Sequence, residues 1–288
     1  MTEVQIGLNG LLLGGVYALM ALGLALAWGV MNIVNIAHGA FIVLGGYVTY
    51  WLFTLAGIDP FLSLPFSMGT LFIVGYLLQR YLINYIMRAE LFFTLLITFG
   101  LDILIVNLVQ LLWSADYRRV NPSYSTAHFT LGAITIPWVR LGVFAVALGI
   151  TLLFFWVLQR SKLGRAIRAT AQDLEGARLT GVKVAHVYAL TYGISAAMAG
   201  AAGSLMAILL PINPSVGGPL TLKSFVIVVL GGLGNPWGSV VGGLIIGLVE
   251  EFGSFFIGDT FRNVLSFTIL VLILLVRPEG ILMRRSSA

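Results

Sequence analysis

Eight apolar runs of bilayer length divide this chain: Gly7–Trp28, Ala37–Ala56, Pro60–Leu78, Leu91–Trp113, Val139–Leu158, Val187–Leu210, Trp237–Phe255 and Arg262–Val276. A hydrocarbon core about 30 Å thick takes roughly 20 apolar residues to cross as a helix, so the pattern predicts an all-α, polytopic transmembrane bundle of about eight spans. Only 9% of the 288 residues are charged, against roughly 25% in soluble domains; lipid has to cover most of such a chain. The first run lacks a basic leader and an obvious cleavage site, which makes it a retained helix rather than a removable signal.

Basic residues set the expected orientation. Arg80 and Arg88 in Gln79–Glu90, six Lys and Arg in Gln159–His186, and Arg277, Arg284 and Arg285 in the tail belong on the cytoplasmic side. The N-terminus is then outside and the C-terminus inside, and Arg118, Arg119, Arg140, Lys223 and Arg262 stay outside. With that parity Leu222–Phe255 has to enter and leave on one face. The short run Leu222–Gly232, turning at GGLGNPWG into a full span, satisfies this as a re-entrant or broken half-helix; a single helix kinked at Pro236 is the competing arrangement. The outer stretch Ser114–Arg140 alternates weakly at FTLGAITIPWV and suits a small hairpin.

The one long polar stretch with dense positive charge is RSKLGRAIRATAQDLEGARLTGVKVAH. Ser161 can cap a helix KLGRAIRATAQ, Asp173 a second, LEGARLT, with Glu175 in its first turn, and Gly181 is placed to stop it. A short helix held beyond the membrane can lie in a partner's groove or rest on anionic lipid; spacing leaves both open. Within the spans, Gly193, Ala197 and Ala201, then Ser195, Ala199 and Gly203, then Gly238–Gly242 and Gly243–Gly247, repeat small residues at four-residue spacing, a signature of close helix packing in lipid.

Polar groups in apolar surroundings are the candidate path residues. Asn32, Asn35 and His38 lie three apart and share a face if helical. Thr94, Thr98 and Asp102 form a stripe; a carboxylate at mid-bilayer costs about 2.5–3.5 kcal/mol to insert, so Asp102 should face the interior. Glu250–Glu251 read as solvated at the outer edge, and Asn235 belongs to the glycine-rich turn. With no Cys and a lone His at this site, no metal site is expected. Without a P-loop, HExxH or G-x-S-x-G pattern, no ATP site or hydrolytic centre is expected either, and the chain is not an enzyme. No cofactor or nucleic-acid partner is implied.

The stretches GLALAWGVMNIVNIAHGAFIVLGGY, LLITFG, KLGRAIRATAQDLEGARLTGV and VLGGLGNPWGSVVGGLIIGLVE, in order from about Gly7 to the RPEGI tail, resemble the membrane permeases of branched-chain amino acid ABC importers of the LivH type. That resemblance implies a single permease domain over residues 1–288 in the cell inner membrane. It implies a second permease of the LivM type, two ATP-binding subunits and an extracytoplasmic solute-binding protein as partners. It also implies that Asp173–Gly181, within the cytoplasmic loop 159–186, is the coupling helix that meets an ATPase; the residues concerned are Asp173, Glu175, Ala177, Arg178, Leu179 and Gly181. Where the family pattern begins Glu-Ala-Ala, this chain has Glu175-Gly176-Ala177. Asn35, His38, Thr98, Asp102 and Asn235 are the expected path or gate residues for a branched-chain or related hydrophobic amino acid. Urea and short-chain amide importers use similar permeases, and an ion-coupled transporter working through Asp102 is the alternative of another class.

Overall fold

The computed structural model describes residues 2–86, 91–131, 134–277 and 280–281. Among them, nine helices are long and apolar enough to cross a membrane. Local chemistry explains where they stop. α1 (Thr2–Met31) ends where Asn32 turns left-handed, φ 51°. α2 (His38–Ala56) ends on Gly57 at φ 64°, a conformation that costs glycine little. α3 (Leu64–Leu78) continues through a π-helical turn, Gln79–Ile83, into α4 (Asn84–Ile86). The Gln79–Glu90 stretch, expected as a loop, is therefore helical as far as Ile86. Arg88, Arg284 and Arg285, used above for orientation, lie outside the described residues.

α5 (Leu91–Trp113) leads to strands β1 (His128–Leu131) and β2 (Ile134–Pro137), an antiparallel hairpin pairing His128 with Pro137 and Leu131 with Ile134. The weak alternation of FTLGAITIPWV thus folds as expected. Gln5 of α1 clamps the hairpin with two 2.8 Å bonds, donating to the Thr135 carbonyl and accepting from its N–H. α6 (Trp138–Arg160), α7 (Lys162–Gln172), α8 (Leu174–Leu179) and α9 (Val184–Leu209) follow. α10 (Gly217–Gly231) begins five residues before the expected Leu222, because Asn213 accepts from the Val216 N–H and Pro214 opens a lead-in turn. α11 (Pro236–Ile257) and α12 (Arg262–Val276) complete the bundle.

α1 and α9 form the centre and are almost wholly buried, whereas α3, α5, α6 and α12 show large apolar side chains outward. The central contacts are backbone against backbone. A methyl group added to Gly10 or Gly14 would strike the backbone of Gly243, Gly247 or Leu248, and one added to Gly203 would strike the Ile42 carbonyl. The predicted small-residue repeats are these contacts.

Two ends of the bundle are well defined. At the hairpin end Leu12, Arg140, Leu209, Glu251 and Arg262 converge. At the opposite end Gly29 packs on Gly234, and the Leu230 carbonyl accepts from the Ile281 N–H at 2.9 Å. α10 therefore runs from the hairpin end to the opposite end and α11 returns. Gly232 (φ 99°) and Gly234 (φ 76°) reverse the chain, and Gly231 packs against Gly238. The pair enters and leaves on one face as parity requires, and the single kinked helix is excluded. At fifteen residues α10 is longer than the eleven-residue half-helix expected.

Candidate functional site

The centre of the bundle contains backbone that is not helical. After Met31 the chain turns back through Asn32–Ala37 before α2 begins at His38. His38 Nε2 lies 2.9 Å from the Met20 carbonyl, eleven residues from the end of α1, hence about 16 Å inside that end at 1.5 Å per residue. Freed backbone groups at that depth need protein partners. Thr98 of α5 donates to the Val34 carbonyl at 3.1 Å, and Thr221 of α10 donates to the Ile36 carbonyl at 3.0 Å while accepting from the Gly39 N–H at 2.8 Å. Two hydroxyls from different helices thus hold the break open. Thr221→Val removes both of its bonds to the break. It should cost about 2–4 kcal/mol from two orphaned buried groups, read by thermal unfolding in detergent, with Thr221→Ser close to wild type.

Asn32, Asn35 and His38 do not share a helical face, because the segment between them is unwound. Asn32 is exposed at the end of α1; Asn35 and His38 are buried. A carbonyl only accepts, so His38 bears its proton on Nε2, and Nδ1 is left as a buried acceptor without a partner. Asn35 faces the Tyr192 hydroxyl, and its own Oδ1 makes no hydrogen bond. Unfilled acceptors beside broken backbone suit transient contact with a polar solute.

Of the remaining expected residues Thr98 joins the break, and Asp102 and Asn235 do not. Thr94 and Thr98 are buried against the break, as the stripe requires. Asp102, one turn on, is half-buried with Oδ1 unpartnered. Asn235 lies at the opposite end, where its Oδ1 accepts from the Trp237 and Gly238 N–H groups at 3.1 and 3.2 Å and so caps α11.

The strongest polar cluster was not foreseen. Glu250, expected in solvent, is fully buried; Lys223, counted above only as a charge on the outer side, is buried as well. Lys223 Nζ stands 2.8 and 3.0 Å from the two Glu250 oxygens, Tyr17 donates to Oε2 at 2.7 Å, and Ser266 donates to Oε1. One carboxylate thereby ties α1, α10, α11 and α12 together. Its signal was legible in principle, since a charge inside an apolar span marks a functional site; starting α10 at Leu222 hid it by leaving Lys223 at the helix mouth. Beside the cluster is a cavity of about 190 Å³, walled by Ile42, Val43, Met206 and Leu220 and bounded at its polar side by Tyr17, Lys223 and Arg262. Arg262 is 3.3 Å from Asp259 and 3.6 Å from Glu251, and its Nε is buried without a partner.

At the opposite end α7 packs one face on the bundle through Gly164, Ile167 and Thr170, and α8 follows it, both bounded as the cap residues predict. Ser161 accepts from the Gly164 N–H at 2.8 Å and Asp173 from the Glu175 N–H at 3.1 Å. Gly181, φ 83°, closes α8: its N–H reaches the Arg178 carbonyl and that of Val182 the Ala177 carbonyl, both at 3.0 Å. This double closure is a Schellman motif. Ala177 packs inward, whereas Asp173, Glu175, Arg178 and Gly181 are exposed and Leu179 is 89% exposed.

Comparison with known proteins adds sequence kinship to this geometry. The chain is 32% identical over 290 residues to the high-affinity branched-chain amino acid transport system permease protein BraD of Pseudomonas aeruginosa, covering 96% of this chain and 94% of that protein. It is 33% identical over 291 residues, with the same coverage, to the corresponding protein LivH of Escherichia coli K12. A probable LivH of Methanocaldococcus jannaschii is 28% identical over 91% of this chain and 87% of its own. No solved structure gives a significant match. The family model described as branched-chain amino acid transport system, permease component, matches residues 6–275, and the chain belongs to that family.

Proposed function

We propose that this chain is a membrane subunit of an ATP-binding cassette importer, passing branched-chain amino acids across the cell inner membrane by alternating access. The observation that carries this reading is α9. It starts beside the projecting α8 and ends at the cavity, where it supplies Gly203 and Met206. A rigid helix of 26 residues, about 39 Å long, joins a surface fit for an ATPase to a chamber fit for an aliphatic solute. Asp173, Glu175, Arg178, Leu179 and Gly181 present the lever, with Ala177 seating it on the bundle. ATP bound by two partner subunits drives it; a second permease completes the path and a solute-binding protein delivers substrate at the hairpin end. In this reading the hairpin end and the N-terminus face outward, and loop 159–186 and the C-terminus are cytoplasmic.

In the chamber the substrate side chain meets Ile42, Val43 and Met206, and its carboxylate meets Arg262. From there the solute passes the broken backbone, where Asn35, His38 and Thr98 offer transient polar contacts, with Asp102 alongside and Asn235 at the exit. A test is leucine uptake by proteoliposomes holding the chain with its natural partners, ATP inside or absent. Uptake that needs both the ATPases and ATP supports the reading; concentrative uptake by the chain alone refutes it. In the same assay Arg262→Gln should raise KM roughly tenfold, the effect of losing one hydrogen bond to a charge. The unpartnered carboxyl of Asp102 favours one rival, an ion-coupled carrier, for which Asp102→Asn abolishes an ATP-independent flux.

A further inference from the structure

A second cavity, of about 690 Å³, opens at the α8 end between the π-helical turn after α3 and the start of α9. Arg80, Asn84, Tyr85, Lys183, Ala185 and His186 line it. Among the described residues neither Arg80 nor Lys183 has a carboxylate within ion-pair distance, and no acidic side chain lines the groove. Arg80 is held in place: its Nη1 donates to the Tyr76 hydroxyl at 2.6 Å, which itself stands 3.2 Å from His186 Nδ1. Asn84 bridges the groove by donating to the Ala185 carbonyl at 3.1 Å. Arg80 is thus held at a packed helix end, and Lys183 stands exposed at the start of α9, on the wall of the same groove.

What surrounds them defines the ligand. Tyr81 and Tyr85 are exposed beside the groove, as aromatic residues are at a membrane interface. Leu77 and Ile73, one and two turns back along α3 from Arg80, are exposed apolar side chains running into the span. A free anion uses only the cations; a molecule with an anionic head and fatty chains uses the cations, the tyrosines and the apolar strip together. Basic pockets between spans are suited to such headgroups.

We propose that this groove is a binding site for one anionic phospholipid, its phosphate between Arg80 and Lys183 and its acyl chains along Leu77 and Ile73. Lys183 follows Gly181 by two residues and stands at the first turn of α9, so the lipid sits at the root of the lever.

The test is native mass spectrometry of the detergent-purified protein with phosphatidylglycerol or phosphatidylcholine of identical chains. The wild type should retain phosphatidylglycerol in preference by roughly thirtyfold, the effect of two basic residues near a membrane surface. Arg80→Gln with Lys183→Gln should erase the preference, and Arg80→Lys with Lys183→Arg should keep most of it, which separates lost charge from lost fold. Equal retention of both lipids by the wild type, or an unchanged preference in the glutamine variant, overturns the proposal. Displacement by glycerol 3-phosphate at the concentration where phosphatidylglycerol saturates also overturns it, since the groove would then take phosphate without a lipid.

Discussion

Glu250→Ala will unfold or misassemble the protein, lowering its stability by about 3–5 kcal/mol, because the substitution leaves Lys223 charged and buried without its partner. The loss is larger than the net worth of the ion pair itself. Four helices meet at that carboxylate, and the Tyr17 and Ser266 hydroxyls lose their acceptor together with the ammonium. Tyr17→Phe, Lys223→Met and Glu250→Leu together should recover much of the stability, since apolar residues of similar volume replace a buried pair at little or no cost. The chain has six Trp and no Cys, so intrinsic fluorescence on heating in detergent follows both proteins. If the single variant melts with the wild type, the cluster is not holding the helices. The triple variant should fold yet take up leucine less well, having lost two of the polar groups, Tyr17 and Lys223, that bound the chamber beside Arg262.

Arg178→Glu combined with Leu179→Asp will abolish ATP-driven uptake while the chain folds normally. Leu179 is 89% exposed and touches little of its own chain. Arg178 pairs with Glu175 at 2.7 Å on an open surface, where such pairs contribute less than about 1 kcal/mol. The cap at Asp173 and the closure at Gly181 are untouched, so α8 persists. An apolar anchor and an arginine at the centre of a contact typically contribute 2 kcal/mol or more to it, equivalent to a roughly thirtyfold or greater loss of productive engagement. The measurement is paired: leucine uptake and ATP hydrolysis in the same proteoliposomes. Hydrolysis that continues while uptake stops assigns α8 as the coupling element. Wild-type uptake removes it from that role.

Features written in neighbouring residues were legible in the chain. Ser161, Asp173 and Gly181 act through atoms a few residues away, and α7 and α8 have the bounds those residues predict to within one position. The spans were legible for the same kind of reason, since hydropathy over twenty residues decides insertion. The centre was not. Lys223 and Glu250 lie 27 residues apart on different helices, and neither position alone tells whether lipid, water or an opposite charge meets it. The break at Asn32–Ala37 carries two amides in six residues but no glycine or proline to mark an unwound segment. It exists because Thr98 and Thr221, distant in the chain, take up the carbonyls that a helix would have satisfied. The three-residue spacing of Asn32, Asn35 and His38 therefore suggested a face that the fold does not build.

The seam of glycines between α1 and α11 sets an order of events during biosynthesis. α1 leaves the ribosome before the other described helices and is one of the two most buried of them in the finished protein. Its partner is made roughly 200 residues later, which at about 5–20 residues per second means a delay of about 10–40 s. Through that interval α1 has only lipid and the early helices against the flank that α11 will occupy. Its flank is smooth enough to dwell in hydrocarbon and to receive α11 late without side chains having to be cleared from the way. A bulky residue at Gly14 or Gly10 would thus act during synthesis, leaving the newly made α11 unseated, and would show as rapid degradation of the nascent product before any loss of transport rate could be measured.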